Sequence, residues 1–401
     1  MTDQSKDDPP VITVTLVHGT FARDAQWTDK RSDFSKSISR AVPGKVLLTR
    51  FKWSGSNSHR ARLRAGEELA TYLHNLTTTY PTAKHHVIAH SHGGNVLMYA
   101  MRDKSVAERM SSLVCLATPF LTLERRRIGP SISVLREFPN PLFACIFATF
   151  LSFAFGTLGT SLWVVPGLMA IGVVYLLVRK FTTFLSNRLV VRFQKFQDRM
   201  ISQFSLPELE CTPVLVVQAH RDEAAWYLNL VDWIANLPYM LWSPRFVFWL
   251  AWGWIFLSLP WVLAMTHLSI FGATAFELGL SLEGTLFTAF TIGLYALGLA
   301  VGLLLLFSLI AQGSMAVWAI IFRGHALGFG ERNIFENWLI HIAANADPKN
   351  AHNFIKRSFV VSGGGLRHAV YRDETVRKNV ADWIAKIMSQ DDVRATNGGE
   401  K

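Results

Sequence analysis

The chain has 401 residues, of which 50% are hydrophobic and 17% charged, a balance too apolar for a typical soluble protein. Its formal net charge of +11 is compatible with binding either nucleic acid or an anionic membrane surface. Three scattered cysteines, Cys115, Cys145 and Cys211, exclude a disulfide framework or tetrahedral zinc site and fit a reducing compartment.

Short apolar runs alternate with helical patterns over the first 130 residues, after a polar start, MTDQSKDDPP, that does not resemble a signal peptide. Continuous apolar runs are typical of buried parallel strands joined by helices. Such runs predict six strands: VITVTLVHGT at 11–20, GKVLLTRF at 44–51, HHVIAHS at 85–91, SSLVCLATPF at 111–120, Thr212–His220 and Arg357–Gly364. Helices are predicted around Leu63–Leu76 and from about Glu374 to Met388. The fold class is therefore α/β.

Two insertions interrupt this pattern. Residues 141–178 carry no charge over a length of about 38, enough for two short helical crossings that turn at GTLGTS. Residues 246–266 and 284–322 are also uncharged, and Glu277 and Glu283 lie between them. The stretch 284–322 is long enough to cross the membrane once with residues to spare, or to cross it twice. We prefer one crossing plus an interfacial segment, because residues before and after it must meet on one face. The alternative is an unusually hydrophobic soluble core.

Basic residues flank the insertions, and cytoplasmic loops near membrane crossings are enriched in such residues. They are Arg125, Arg126, Arg127, Arg136, Arg179, Lys180, Arg245 and Arg323. We therefore expect an integral membrane protein with two transmembrane hairpins and its α/β part on the cytoplasmic side. No nucleic-acid-binding signature accompanies the charge, so no nucleic-acid partner is expected. The predicted segments are α/β core at 1–135, 201–238 and 326–401, with insertions at 136–200 and 239–325.

The segment VIAHSHGGNV places Ser91 between an apolar strand and a helical pattern, the context of a nucleophile elbow. This sharp turn brings the positions two residues either side of the serine close together, and small residues, Ala89 and Gly93, occupy both. The segment VTLVHGTF ends a strand at His-Gly, where a backbone N–H can face an oxyanion. The candidate donors are Thr20, with Phe21 possible, and His92 directly after the nucleophile.

The order strand-HGT, AHSHGG, strand-ATPF, strand-HRDE and strand-GGGLRH resembles the α/β-hydrolase superfamily. It is similar to the lipase and esterase branch, including lipase-like serine esterases and the GPI inositol-deacylase type. The resemblance implies a mostly parallel sheet with helices on both faces, and a triad in the order Ser, acid, His. It places the acid at Asp222, with Glu223 as a less favoured substitute, and the base at His368.

The remaining polar residues near the elbow have simpler interpretations. His85, His86, His90 and His92 lie close together, but no carboxylate or cysteine has ligand spacing, so neither a metal site nor any cofactor is expected. His18 is expected to make structural hydrogen bonds. Residues 51–64 either line the pocket or form a solvated loop leading into a helix.

In the superfamily that the motifs resemble, a lid follows the strand that here ends at Pro119, and the first insertion begins there. We therefore expect a lipid or lipid-linked ester to reach the site from the bilayer, with the aromatic stretches 181–196 and 226–242 in the headgroup layer or as packing helices. Alternatives are a protein thioesterase, an acyltransferase and a non-catalytic membrane scaffold. A transporter is disfavoured, because the apolar stretches lack ionisable residues. The oligomeric state is left open.

Overall fold

The computed structural model describes residues 12–126 except 43, 164–209, 212–241, 320–348 except 333, 353–361 and 367–397, with a few isolated positions from 310 to 318. The chain divides into two compact units. The first comprises residues 1–124, 199–233 and 320–401, and the second comprises residues 125–198 and 234–319.

The first unit is built on a six-stranded sheet in which every recorded pairing is parallel. The strand order is β2-β1-β3-β4-β6-β8. The strands are β1 (Ile12–Val17), β2 (Val46–Phe51), β3 (Lys84–His90), β4 (Met110–Leu116), β6 (Val214–Ala219) and β8 (Phe354–Phe359). The predicted α/β class with a mostly parallel sheet is confirmed.

Helices cover both faces of this sheet because its strands are apolar on both sides. The helices described in the chain include α1 (Asp33–Ala41), α2 (His59–Thr79), α3 (His92–Ala100), α4 (Lys104–Ala107), α6 (Glu223–Leu241), α7 (Ile334–Leu339) and α8 (Glu374–Asn397). One core joins Leu69 of α2 and Leu97 of α3 to Val87 of β3. The other joins Ile38 of α1 and Ile384 of α8 to strand residues of the opposite face. Successive strand residues therefore supply two separate cores.

A small second sheet was not predicted. It pairs β5 (Phe120–Arg125) with β7 (Ile340–Asn345). The sequence predicted one strand through Phe120, but β4 ends at Leu116 because Ala117 has a left-handed backbone with φ of 45°. The chain therefore leaves the main sheet before Phe120 and starts a new strand.

The predicted boundaries of three other elements also differ from the observed ones. The last helix continues to Asn397, beyond its predicted end at about Met388. The last strand ends at Phe359, several residues before the predicted end at Gly364. Helix α2 begins at His59, where the Ser58 hydroxyl accepts a hydrogen bond from the Ala61 N–H, so an N-cap sets its start.

The second unit contains most of α5 (Val164–Phe204), a helix of 41 residues. It is the one helix in the described part of the chain that is long and apolar enough to cross a membrane. Its apolar half exposes large side chains such as Met169, Val173 and Leu177. The rest of the two predicted hairpins, including the turn at 156–161 and the stretches 246–266 and 284–309, lies outside the described residues.

Candidate active site

Ser91 lies in a strained turn between β3 and α3, with φ of 54° and ψ of −133°. A left-handed backbone at a non-glycine residue costs of order 1–3 kcal/mol and persists only where its surroundings hold it. Two backbone hydrogen bonds do so: the Ser91 N–H donates to Leu116 O at 2.8 Å, and Gly94 N–H donates to Ser91 O at 2.9 Å. The strand-turn-helix context predicted for the elbow is present.

The small residue at position 93 is required for a reason that the sequence did not show. A Cβ on Gly93 would lie 2.5 Å from His18 O and 3.0 Å from Val17 O, so α3 packs directly on the end of β1. On the other side of the nucleophile, a Cβ on Gly19 would lie 2.9 Å from the Ser91 Cβ. The loop after β1 is therefore held against the serine.

The structure brings Ser91, His368 and Asp222 together. His368 Nε2 lies 2.8 Å from Ser91 Oγ, and its Nδ1 lies 2.9 Å and 3.1 Å from the two Asp222 oxygens. An ionised carboxylate only accepts hydrogen bonds, so Nδ1 carries the proton and Nε2 is free to accept the serine proton. This is the arrangement of a nucleophile, a base and an orienting acid.

Asp222 is positioned by the turn between β6 and α6. Its Oδ1 accepts hydrogen bonds from Ala224 N–H at 2.8 Å and Ala225 N–H at 3.4 Å. Burial by itself raises the pKa of this carboxyl, but the hydrogen bond and charge of His368 and the two N–H groups outweigh it, so the net pKa lies below its ordinary value. Glu223, the alternative acid, instead lies 3.9 Å from Arg367.

His90 anchors the residue that carries the base. Its Nε2 lies 2.9 Å from His368 O, and because a carbonyl only accepts, Nε2 is the protonated nitrogen. The ring packs against Tyr371, with centroids 4.8 Å apart, and against Trp27 at 6.1 Å. Burial, followed by the neighbouring charge of His368, lowers the pKa of His90 to about 3, so it is neutral at physiological pH. No feature of the sequence indicated this contact between residues 90 and 368.

Of the oxyanion candidates, the structure disfavours Phe21. Its N–H donates to Gly55 O at 2.8 Å and is therefore already engaged. Thr20 follows Gly19 in the loop that contacts Ser91, and its buried hydroxyl has no hydrogen-bond partner among the described residues. His92 is the first residue of α3, where a backbone N–H has no acceptor within the helix. Thr20 and His92 therefore remain the candidate donors.

The other histidines make structural contacts. His18 Nε2 accepts from Trp53 N–H at 3.2 Å and its Nδ1 donates to Gly19 O at 2.8 Å, as expected for a structural residue. Burial lowers the pKa of this ring. His85 and His86 bond to Thr13 and Ser112. In the described ranges, no three side chains of His, Cys, Asp or Glu form a possible metal-ligand group.

Residues 51–64 form a loop that leads into α2, as one of their two interpretations expected, but the loop is only partly exposed, and none of these residues lines the cavity beside His368. Trp53 is buried, and its indole donates to His18 O at 2.8 Å. Further along, Asn57 donates to His325 O and Ala326 O, and the buried Arg62 donates to Leu327 O. This segment therefore joins the start of α2 to residues 325–327.

No protein-family model matches the chain, and no curated protein sequence matches it. Among solved structures, it is similar to a Trichoderma reesei cutinase in complex with a C11Y4 phosphonate inhibitor, at 17% identity and a TM-score of 0.24, over 28% of this chain and 53% of the cutinase. It is also similar to two structures of acetyl xylan esterase, at 12% and 11% identity and TM-scores of 0.23, over 28% and 29% of this chain and 65% and 66% of theirs. The chain thus spans between half and two thirds of each neighbour. At these TM-scores the likeness carries no argument about activity, which has to come from the site itself.

Proposed function

We propose that this protein is a serine hydrolase that cleaves carboxylic ester bonds through an acyl-serine intermediate. The observation that carries the proposal is the continuous hydrogen-bonded row from Ser91 Oγ through His368 to Asp222. A serine hydroxyl is a weak nucleophile unless an adjacent base accepts its proton, and this geometry supplies that base in the required tautomer.

In the first half-reaction, Ser91 Oγ attacks the ester carbonyl carbon and its proton moves to His368 Nε2. The carbonyl oxygen becomes an oxyanion, for which the N–H groups of Thr20 and His92 are the proposed donors. Collapse of the tetrahedral intermediate breaks the bond to the alcohol oxygen, which takes the proton from Nε2. In the second half, a water gives its proton to His368 Nε2 and attacks the acyl carbon. The resulting intermediate breaks its bond to Ser91 Oγ, which takes the proton back from Nε2 as the acid is released.

The substrate is proposed to be a lipid or lipid-linked ester, with the protein embedded in a membrane. Support comes from α5, which is long and apolar enough to cross a membrane. Its uncharged part, 164–178, is followed by Arg179 and Lys180. Since basic residues mark the cytoplasmic side, the hydrolase unit is proposed to be cytoplasmic.

One experiment tests both parts. Membranes from cells that express the protein are washed with alkaline carbonate, and the pellet and supernatant are labelled with a fluorescent fluorophosphonate. We expect a labelled band in the pellet that is lost in Ser91→Ala and kept in Ser389→Ala, which removes an exposed serine of α8.

The outcomes separate the two claims. Labelling that persists in Ser91→Ala removes this serine from the mechanism, and an unlabelled wild type refutes the hydrolase itself. A labelled band in the supernatant refutes membrane embedding only. The same serine can also be acylated by a thioester, which releases a thiol, and the acyl-serine can pass its acyl group to an alcohol in place of water; product analysis separates these reactions.

A further inference from the structure

A cavity of about 300 Å³ lies beside His368 and Asp222, within the first unit. Its walls come from the carboxyl ends of β4 and β6, the first turn of α6 and the end of β7. Alanine methyl groups form much of the lining, from Ala219, Ala224, Ala225 and Ala344. The sequence did not indicate this cavity, because β7 was not predicted.

The sheet order determines which part of an ester faces the cavity. Strand β3, which leads to Ser91, lies between β1 and β4. The proposed oxyanion donor Thr20 follows β1, whereas the cavity lies over β4 and β6, on the opposite side of the nucleophile. The oxygen of the departing alcohol must face His368 Nε2, from which it receives its proton, and His368 is part of the cavity wall.

We infer that this cavity binds the alcohol portion of the ester substrate, an inference that rests on the proposed hydrolase function. A volume of about 300 Å³ equals roughly ten water molecules at about 30 Å³ each, and a methylene group is of similar size. The cavity therefore accepts an alcohol of fewer than about ten carbons. An acyl chain that spans one leaflet, about 15 Å of hydrocarbon, is too large for it.

The chemistry of the lining describes the alcohol further. The alanine methyls favour an apolar chain, since burial of apolar surface drives binding. Polar side chains also line the cavity, and those of Arg221 and Asn229 are placed to contact an additional hydroxyl or ester group; the other polar lining residues outside the triad are Thr118, Gln218 and Asn345. The substrate class is thus an ester of a compact, largely apolar alcohol.

The test uses Ala344→Phe, which fills the cavity from β7. Its matched control is Ala343→Phe, because Ala343 is the preceding residue of the same strand, makes the same change in side-chain size and does not line the cavity. Two ester series are hydrolysed by the full-length protein. Butyrate esters vary the alcohol from ethyl to octyl, and ethyl esters vary the acyl group from butyrate to octanoate.

For Ala344→Phe we expect kcat/KM for octyl butyrate, relative to ethyl butyrate, to fall at least about tenfold, since each displaced methylene costs about that factor. The ratio of kcat/KM for ethyl octanoate to kcat/KM for ethyl butyrate should stay within about twofold of the wild-type ratio. In Ala343→Phe, the alcohol-series ratio and the acyl-series ratio should both stay within about twofold of the wild type. Fluorophosphonate labelling at the wild-type rate shows that the variant is folded. If it does not label, Ala225→Phe fills the same cavity from α6.

If Ala344→Phe changes the kcat/KM ratio of the acyl series and leaves that of the alcohol series unchanged, the assignment of the cavity to the alcohol portion is wrong. Unchanged ratios in a variant that labels normally show that the cavity binds no part of the ester, while the hydrolase function stands. A wild type that neither labels nor hydrolyses any ester refutes the proposed function, and this inference with it.

Discussion

Replacing Asp222 by asparagine isolates the role of the carboxylate, because the two side chains have the same shape. One Asp222 oxygen, Oδ1, already accepts hydrogen bonds from Ala224 N–H and Ala225 N–H. An amide nitrogen at that position would place its own N–H groups against these two backbone N–H donors, leaving no acceptor. The amide nitrogen of Asn is therefore forced to the Oδ2 position, 2.9 Å from His368 Nδ1.

This forced orientation gives His368 the wrong tautomer. A donating amide requires Nδ1 to accept, so the ring proton moves to Nε2 and the nitrogen facing Ser91 Oγ no longer accepts its proton. The same exchange in a serine-histidine-aspartate triad costs about 10⁴-fold in kcat, or about 5.5 kcal/mol of transition-state stabilisation. We expect a loss of this size here, with little change in stability because both backbone hydrogen bonds are kept.

The assay measures kcat for a soluble ester and the rate of fluorophosphonate labelling. Glu223→Gln is the matched control, since this neighbouring acid lies near Arg367 and not near the imidazole; it should retain activity within about threefold. The reasoning is refuted if Asp222→Asn keeps more than about a tenth of the wild-type kcat, or if Glu223→Gln loses as much activity as Asp222→Asn does.

Two further predictions concern stability. Gly93→Ala should destabilise the protein by about 1–3 kcal/mol or more, because its Cβ would lie 2.5 Å from His18 O. Gly172→Ala is the control and should not destabilise the protein, because a Cβ there would have nothing within 4 Å. Thermal unfolding in detergent compares the two variants, and equal unfolding midpoints would contradict the packing argument. His90→Gln keeps an N–H donor for His368 O but removes a ring whose pKa is lowered to about 3. The unfolded chain takes up a proton at this ring below pH 6.5 and the folded chain does so only near pH 3, so stability falls as the pH drops through this window. Between pH 7.5 and pH 5 the wild type should therefore lose about 2 kcal/mol more of its free energy of unfolding than His90→Gln does. An equal loss in both proteins would contradict the lowered pKa of His90.

The sequence by itself determined the α/β pattern and the residues that meet at the centre of the site. Buried parallel strands are continuous apolar runs, so five of the main strands were predictable within a few residues, and the last helix was predictable at its start but not at its end. Ser91 was identifiable because a nucleophile elbow is a local motif, in which strand, small residues and helix are adjacent in the chain. Asp222 and His368 followed from the family resemblance and from their positions after strands.

Only the tertiary structure decided which groups touch across long separations. The bond from His90 to the carbonyl of residue 368 joins positions 278 apart, and no local pattern encodes such a contact. Gly55 O accepts the hydrogen bond from the Phe21 N–H, which leaves Thr20 as the candidate donor in the loop after β1. The left-handed backbone at Ala117 created β5, whose partner β7 forms one wall of the cavity. Secondary-structure propensity and hydrophobic periodicity depend only on residues that are near in sequence, whereas this site is formed by the packing of segments that are distant in sequence.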